Sequence, residues 1–407
     1  MTDAPTRTAW LDARPAPKAG LVLQPVDGEI VIYDPEADAL HHLEPTAAAV
    51  WTLLDGHKPV HAIAADLAAK YGAAEASVRR DVLDLAELMH DRGLLVGSAG
   101  VPASTGRRTS SGPTGEFDLG DRPPPPVPHV TRALRGLEHT FEVATNDIAV
   151  RDFLDQILVD LGDDGRDDGG RGDRARHELA VLSESRYLVR YQDRVVVVTG
   201  RLDRALSVLL WHVNAEVVRR SAPRFPLVHA AAAARDGATV LLPAAPGSGK
   251  TTTVAGLVAG AGFGYLTDEA VMIDAATLTP HSYPKPLSID RGSWEVLAGL
   301  RPSHHDVVTG QWQVPASAIR RDAVASAAPV RFVVEPAYDR AADTRLEHVS
   351  RAAMLLRLAD STFNFQEAPQ RNLAVLARVL ERADCYRLPI SDLGDGVRLI
   401  RRLFGDA

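Results

Sequence analysis

The chain has 407 residues, a net charge of −8, 45% hydrophobic and 24% charged residues, the balance of a soluble protein of two or three domains with room for a substantial core. The negative charge argues against general nucleic-acid binding, which needs a basic footprint, and the one cysteine, Cys385, excludes an intrachain disulfide framework and reads as a buried structural thiol. No apolar run approaches a membrane span and Met1–Pro5 opens no apolar signal region, so a cytoplasmic protein is expected.

Residues 1–19 read as an N-terminal extension. Leu21–Val26 reads as a strand, and Asp27-Gly28 is a tight-turn signal. Glu29–Tyr33 and Ala39–Leu43 follow as two more strands, divided by Asp34-Pro35. Thr46 is placed to cap a helix over Ala47–Leu54, with Val50, Trp51 and Leu54 on one face. Val60–Tyr71 spaces Ile63, Leu67 and Tyr71 helically and stops at Gly72. Ala76–Arg92 carries Val78, Val82, Leu85 and Leu88 or Met89 on one stripe and stops at Gly93, before the apolar return Leu94–Val96. The pattern predicts a small β3α3, winged-helix-like domain over 20–97. His41 and His42 are adjacent on a strand and point to opposite faces, so one packed and one exposed histidine is expected rather than a metal site. The same reading applies to the polar His304-His305-Asp306 loop.

Residues 98–130 are rich in Pro, Ser, Gly and Thr and end near Pro123–Pro126, which predicts a linker that stiffens toward polyproline II. A second domain is expected over 131–407. It begins with a strand at Thr140–Ala144 and an amphipathic helix at Ile148–Leu161. Gly162–Arg176 has no core-forming residues and reads as a surface insertion. Strands at Glu178–Leu182, Arg186–Tyr191 and Arg194–Thr199 precede a helix over Arg204–Arg219, whose buried side takes Leu206, Leu209, Leu210, Val213 and Val217.

The chemistry concentrates further on. Leu227–Ala234 is an apolar strand broken only by His229, and Arg235-Asp236-Gly237 turns it back into Thr239–Leu242. Next come Ala244-Ala245-Pro246-Gly247-Ser248-Gly249-Lys250-Thr251 and a helix opening at Thr252-Thr253. Strand, glycine-rich loop, Lys-Thr and helix form the P-loop layout, although Ala244 stands where the first glycine is usual. Backbone N–H groups around Pro246, Gly247, Ser248, Gly249 and Thr252 would cradle phosphates. Lys250 would reach the β and γ phosphates and Thr251 would hold Mg2+. Asp268-Glu269 after the apolar Gly264–Thr267 suits a Walker-B-like acidic pair, one carboxylate for the metal and one for a hydroxyl proton. Only five lysines occur, and the two in the second half, Lys250 and Lys285, both fall near this region.

Two resemblances rest on these residues. The meander followed by Trp51-Thr52-Leu53-Leu54-Asp55-Gly56, Ile63–Tyr71, Asp81–Leu85 and Gly93-Leu94-Leu95 resembles the PqqD family over about residues 20–96. That resemblance implies recognition of the leader of a ribosomally made precursor peptide, added as a strand at Leu40–Leu43 and lying against Ala76–Arg92. The tether would hold the peptide at high effective concentration. Leu227-Val228-His229, Gly247–Thr251, Leu266–Val271, Pro284-Lys285-Pro286-Leu287-Ser288, Val333–Tyr338 and Val349-Ser350-Arg351 together resemble the HPr kinase/phosphorylase family over about residues 135–402. It implies a P-loop α/β kinase domain using ATP and Mg2+. Asp268 is then expected as general base, with His229 orienting it or sensing the γ-phosphate. Thr251 with Glu269, and Asp268 as well, would help hold the metal, and Lys285 or Arg291 would stabilise the transferred phosphate. Glu269 stands where that family has Asp, and no phosphorolysis signature is found, so no reverse reaction is expected.

The expectation is an α/β protein acting as an ATP-dependent kinase on a Ser or Thr hydroxyl of a captured precursor peptide. A nucleotide-gated peptide chaperone and a kinase for a metabolite or folded protein are the rival readings. The oligomeric state stays open.

Overall fold

The computed structural model describes residues 7–96, 127–130, 133–162, 174–305 and 307–405. Most of the expected linker and surface insertion, and Asp306, lie outside these residues. The described residues divide into two compact units. One takes those of 1–112, 350–356 and 368–377, and the other those of 113–349, 357–367 and 378–407. The architecture is mixed α/β, and among the described residues no helix is long and apolar enough to cross a membrane.

The first unit opens with α1 (Arg7–Asp12) and β1 (Ala16–Pro17). A meander follows, β2 (Val22–Val26), β3 (Glu29–Asp34) and β4 (Ala39–Leu43), then α2 (Pro45–Trp51), α3 (Val60–Tyr71), α4 (Glu75–Asp91) and β5 (Leu95–Val96). Asp27 and Gly28 both take positive φ, 52° and 85°, as the two-residue hairpin between β2 and β3 requires. Gly72 ends α3 in the left-handed conformation that a Cβ disfavours. The expected Thr46 cap is not formed. Pro45 occupies the first helical turn, where its fixed φ is preorganised, and Glu44 takes the cap position without a side-chain bond. Residues 1–19 are also more than an extension. Trp10 is buried among Ile30, Ile32, Val50, Trp51 and Met89, and β1 pairs antiparallel with β5. One apolar residue in a polar stretch has no periodicity to announce it.

The second unit begins with β6 (His129–Val130), β7 (Leu134–Gly136), β8 (His139–Thr145), α5 (Ile148–Ile157), β9 (Ala175–Ser183), β10 (Arg186–Tyr191), β11 (Arg194–Thr199) and α6 (Leu202–Ser221). Sheet order is β11-β10-β9-β8-β6, with β7 also on β8. Two expected boundaries shift. Residues 127–130 are not linker, since Val127 is buried and β6 pairs with β8. Arg176 belongs to β9 rather than a loop, because Glu142 and Glu178 take its guanidinium at 2.8 and 2.7 Å. Asp147 caps α5 by accepting from the Val150 N–H. Helix α6 buries Leu206, Leu209, Val213 and Val217. Leu210, expected beside them, is only partly buried.

Beneath α6 lie three histidines. His139 and His177 are fully buried and His212 half-buried, with ring centroids 5.8 Å (His139–His177) and 5.4 Å (His177–His212) apart. His139 Nε2, both His177 ring nitrogens and His212 Nδ1 have no hydrogen-bond partner. Burial pushes His139 down to about 4, with Arg220 adding to it. Burial likewise pushes His177 down to about 3, helped by His212 and His139. Histidines held neutral in the fold but free to charge when unfolded stabilise the fold above their ordinary value of 6.5. That stability is lost as pH falls from there toward the depressed values. Each contributes on the order of 3 kcal/mol at about 1.4 kcal/mol per pH unit. Urea unfolding of the full chain is expected to show a midpoint that falls steeply between pH 6.5 and 4, and His177→Leu is expected to flatten that fall.

The rest of the unit comprises β12 (Leu227–Arg235), β13 (Ala238–Pro243), α7 (Lys250–Gly260), β14 (Gly264–Thr267), β15 (Ala270–Ile273), β16 (Pro280–His281), β17 (Leu287–Asp290), β18 (Gln311–Val314), α8 (Ala316–Ile319) and β19 (Val330–Tyr338). It closes with β20 (Glu347–His348), β21 (Asp384–Ile390) and α11 (Leu393–Leu403). Helices α9 (Arg351–Asp360) and α10 (Pro369–Leu380) have residues in both units. The main sheet runs β16-β15-β12-β13-β19-β21-β20, with β14 also on β12. Strands β13, β19 and β21 are parallel. Of these, β13 reads as a near-continuous apolar run, buried from Thr239 to Pro243, as a central parallel strand does. Helix α11 packs closely on α7 because residue 256 is glycine; a Cβ there would meet Val397 at 2.9 Å.

Candidate phosphate and acceptor site

Residues 244–249 join β13 to α7, and α7 starts at Lys250. Gly247 and Gly249 take φ of 79° and 94°. This is the left-handed geometry in which successive N–H groups form an anion-binding nest. No atom lies within 4 Å of a Cβ built on Gly247. Lys250 is buried, and its ammonium donates to the Ala244 and Ala245 carbonyls at 2.6 and 3.0 Å. It is folded across the loop it belongs to. Burial lowers its pKa, while Glu269 and Asp268 oppose that shift. Ser248 Oγ is buried without a partner. Orphan hydroxyl, nest and the N-terminus of an eleven-residue helix fit a phosphate chain. Ala244 is buried and contributes only its carbonyl.

The acidic pair sits where β14 gives way to β15, both of which run antiparallel to β12. Thr267 pairs with Ala232 and Ala270 with His229, so only Asp268 and Glu269 leave the ladder between them. Their side chains then go to different environments. Asp268 is buried and fully engaged. Its Oδ1 meets Lys285 Nζ at 2.6 Å and accepts from Tyr265 OH at 2.8 Å. Its Oδ2 accepts from Thr251 Oγ1 and from the Ser288 N–H, both at 3.2 Å. Burial, with Asp268 next, raises the Tyr265 pKa well above ordinary, so this phenol is a fixed donor. Glu269 has a side chain 36% exposed and lines a cavity of about 520 Å³.

His229 belongs to Glu269 rather than to Asp268. Its Nδ1 lies 3.1 Å from the Glu269 carbonyl and 3.7 Å from Oε1, and Phe363 meets the ring edge-on at 5.2 Å. Burial and then the Lys250 charge push His229 below its ordinary value, with Glu269 pulling the other way. The ring is therefore neutral at pH 7.

The structure thus gathers Lys250, Thr251, Asp268, Glu269, His229 and Lys285. Thr251 pairs with Asp268, where the sequence reading joined it to both acids for the metal. Thr252 Oγ1 bonds to Ser293 Oγ at 2.5 Å. Arg291 is exposed and lies over the Trp294 ring at 5.5 Å. Lys285 bonds to Asp268 as well as to Pro286 O at 3.1 Å. Sequence reasoning missed Tyr265 and Ser288, the two further donors to Asp268. Elsewhere, Glu29 takes the His42 imidazole, and His304 Nε2 meets the Gln313 carbonyl at 3.0 Å.

In the first unit, β4 pairs only with β3, which leaves its other edge unpaired among the described strands. His41 on β4 has Nε2 buried and without a partner, and burial followed by the Arg92 charge at the end of α4 lowers its pKa. Leu88 of α4 is exposed.

Comparison with known proteins bears on this unit. One solved structure that the chain resembles is TbiB1 in complex with the TbiA(beta) leader peptide, 24% identical over 21% of this chain and 99% of that one, at a TM-score of 0.20. No curated protein matches the chain. The family model described as coenzyme PQQ synthesis protein D (PqqD) matches residues 29–95, a PqqD-like stretch within the first unit.

Proposed function

We propose that this protein captures a precursor peptide on its PqqD-like stretch and transfers the γ-phosphate of ATP to a Ser or Thr hydroxyl of that peptide. The PqqD match supports peptide capture, together with the unpaired edge of β4 and the orphan nitrogen of His41 beside it. One observation carries the kinase reading. A phosphate-shaped loop, its lysine, a buried Thr251–Asp268 pair and a cavity-facing Glu269 meet within one sheet layer. A module that only binds nucleotide needs the first three; Glu269 adds a carboxylate placed to take the proton of an attacking hydroxyl.

Thr251 and Asp268 would hold Mg2+, which when bound neutralises charge on the phosphates and aligns them. Lys250 leaves the Ala244 and Ala245 carbonyls to meet phosphate oxygens. Lys285, Tyr265 and the Ser288 N–H fix the Asp268 carboxylate. Glu269 accepts the acceptor hydroxyl's proton as the new O–P bond forms and the bond to the ADP oxygen breaks. Neutral His229 holds Glu269 in position. Positioning and charge neutralisation account for most of such a reaction. The role of base, expected at Asp268, thus passes to Glu269, because all four of the short contacts at Asp268 are already taken.

Incubating the full chain with Mg-ATP and a serine- and threonine-containing precursor peptide that binds residues 29–95 is expected to give a phosphopeptide by mass spectrometry. Lys250→Ala is expected to abolish the product. Unmodified peptide with the wild-type chain, or a phosphopeptide from Lys250→Ala at the wild-type rate, refutes the kinase reading.

A further inference from the structure

Helix α6 has two faces. One is core; the other, with Ser207, Leu210, Trp211, Asn214 and Val218, walls the cavity that Glu269 lines. Lys285 and Ser288, which hold Asp268, line the same cavity. The cavity therefore reaches Glu269 and the residues that hold Asp268. A second recess of about 510 Å³ shares Ser207 and Trp211 with the first and adds Arg201, Arg204 and Thr309. From Arg201 to Ala222 the two recesses follow α6 for about 30 Å, at ~1.5 Å per residue. A compact metabolite fills only the first. An extended chain of about nine residues, at ~3.3 Å each, spans both.

Trp211 stands where the recesses meet and is 67% exposed on a helix whose other large apolar residues are at least partly covered. An exposed tryptophan is costly to leave in water and is the side chain most often found as a binding anchor. Nearby, Asn214 accepts from Tyr283 OH at 2.5 Å through its Oδ1, which leaves its amide N–H donors for an occupant's backbone carbonyl. Arg201 is held by Asp203, with Nε donating to Oδ1 at 3.0 Å, so the net positive charge of the far recess comes from Arg204.

We infer that the α6 track is the acceptor-peptide subsite, that Trp211 anchors an apolar side chain of the substrate several residues from the phosphorylated hydroxyl, and that Arg204 favours acidic residues beyond it. This rests on the kinase reading above. Trp211 acts as a specificity and positioning residue and does not touch the reacting atoms.

The test uses the full chain, labelled ATP and a serine-centred dodecapeptide library randomised at the other positions. The wild-type chain is expected to label the library with selection for an apolar residue at one fixed distance from the serine. Trp211→Ala is expected to lose that selection and to label about ten-fold more slowly at low peptide concentration, the equivalent of about 1.4 kcal/mol of binding. At saturating peptide the two rates converge, and Trp211→Phe restores the selection. Trp211 is surface-exposed, so neither change threatens the fold. Acrylamide quenching provides an independent readout. Trp10, Trp51 and Trp312 are buried and Trp294 is partly covered, so the most quenchable emission is that of Trp211. The library is expected to shield it. Unchanged selection, rate and quenching in an active enzyme overturn the subsite and leave the kinase standing. No labelling by the wild-type chain with the library at millimolar concentration, which stands in for leader capture, overturns both.

Discussion

Lys285→Met is expected to lower the stability of the second unit by about 3–5 kcal/mol, the usual cost of removing one partner of a buried ion pair. Both partners are out of water, at 3% and 1% exposure, and the Nζ–Oδ1 distance is 2.6 Å. Without the ammonium, Asp268 keeps Tyr265 OH, Thr251 Oγ1 and the Ser288 N–H as donors, which places the loss toward the lower end of that range. In a domain of this size the change corresponds to a melting temperature about 6–12 °C lower. The double variant Lys285→Met/Asp268→Asn separates pairing from packing. Asparagine removes the uncompensated charge, so the double variant is expected to be more stable than Lys285→Met alone, with a coupling energy well above 1 kcal/mol. Calorimetry of the four chains checks this, and additive losses would show that Lys285 serves only to fill space.

Local periodicity carried most of the fold into view. Val60–Tyr71 is helix over the span its Ile63-Leu67 spacing predicts, with Gly72 as its stop. Leu227–Arg235, the glycine-rich loop 244–249 and α7 also follow from apolar runs punctuated by Gly and Asp-Gly. These signals are local, within one turn or one pleat. The Asp268–Lys285 pair is not local. The sequence marked Lys285 through the scarcity of lysine and the Pro284–Ser288 resemblance, and nothing near it said which carboxylate it would meet. The division of labour between Asp268 and Glu269 was hidden for a related reason. Adjacent residues leaving a ladder point to opposite sides, and only the packing of Tyr265 and Lys285 reveals which side is core. The histidine cluster draws from β8, β9 and α6, so no window of sequence contains it. Trp211 was legible as a residue on a helix, but its exposure depends on which face the β8–β11 sheet covers.

The roles proposed for Asp268 and Glu269 lead to opposite kinetic signatures. Glu269→Gln keeps the side chain's size and its place beside His229 but removes its capacity to take a proton. Single-turnover phosphotransfer is expected to slow by about 10²–10⁴-fold, the range for loss of a general base. Affinity for Mg-ATP is expected to stay nearly unchanged, because Thr251 and Asp268 remain paired. Asp268→Asn acts differently. It halves the charge of the acidic pair, leaves Lys285 buried without its counterion, and removes the carboxylate that Thr251 meets. Nucleotide affinity is then expected to lose its dependence on Mg2+, together with stability, before any rate is measured. Titrating a fluorescent ATP analogue with and without Mg2+, alongside the transfer rates, distinguishes the two. A chain in which Asp268→Asn binds Mg-ATP normally but cannot transfer, while Glu269→Gln transfers at the wild-type rate, returns the base to Asp268. His229→Gln refines the same contrast. Neutral His229 contacts only the Glu269 carbonyl and carboxylate within this pair, so its loss is expected to lower the transfer rate less than Glu269→Gln does. In the double variant His229→Gln/Glu269→Gln the two losses do not add, because the histidine acts through the carboxylate that is already gone.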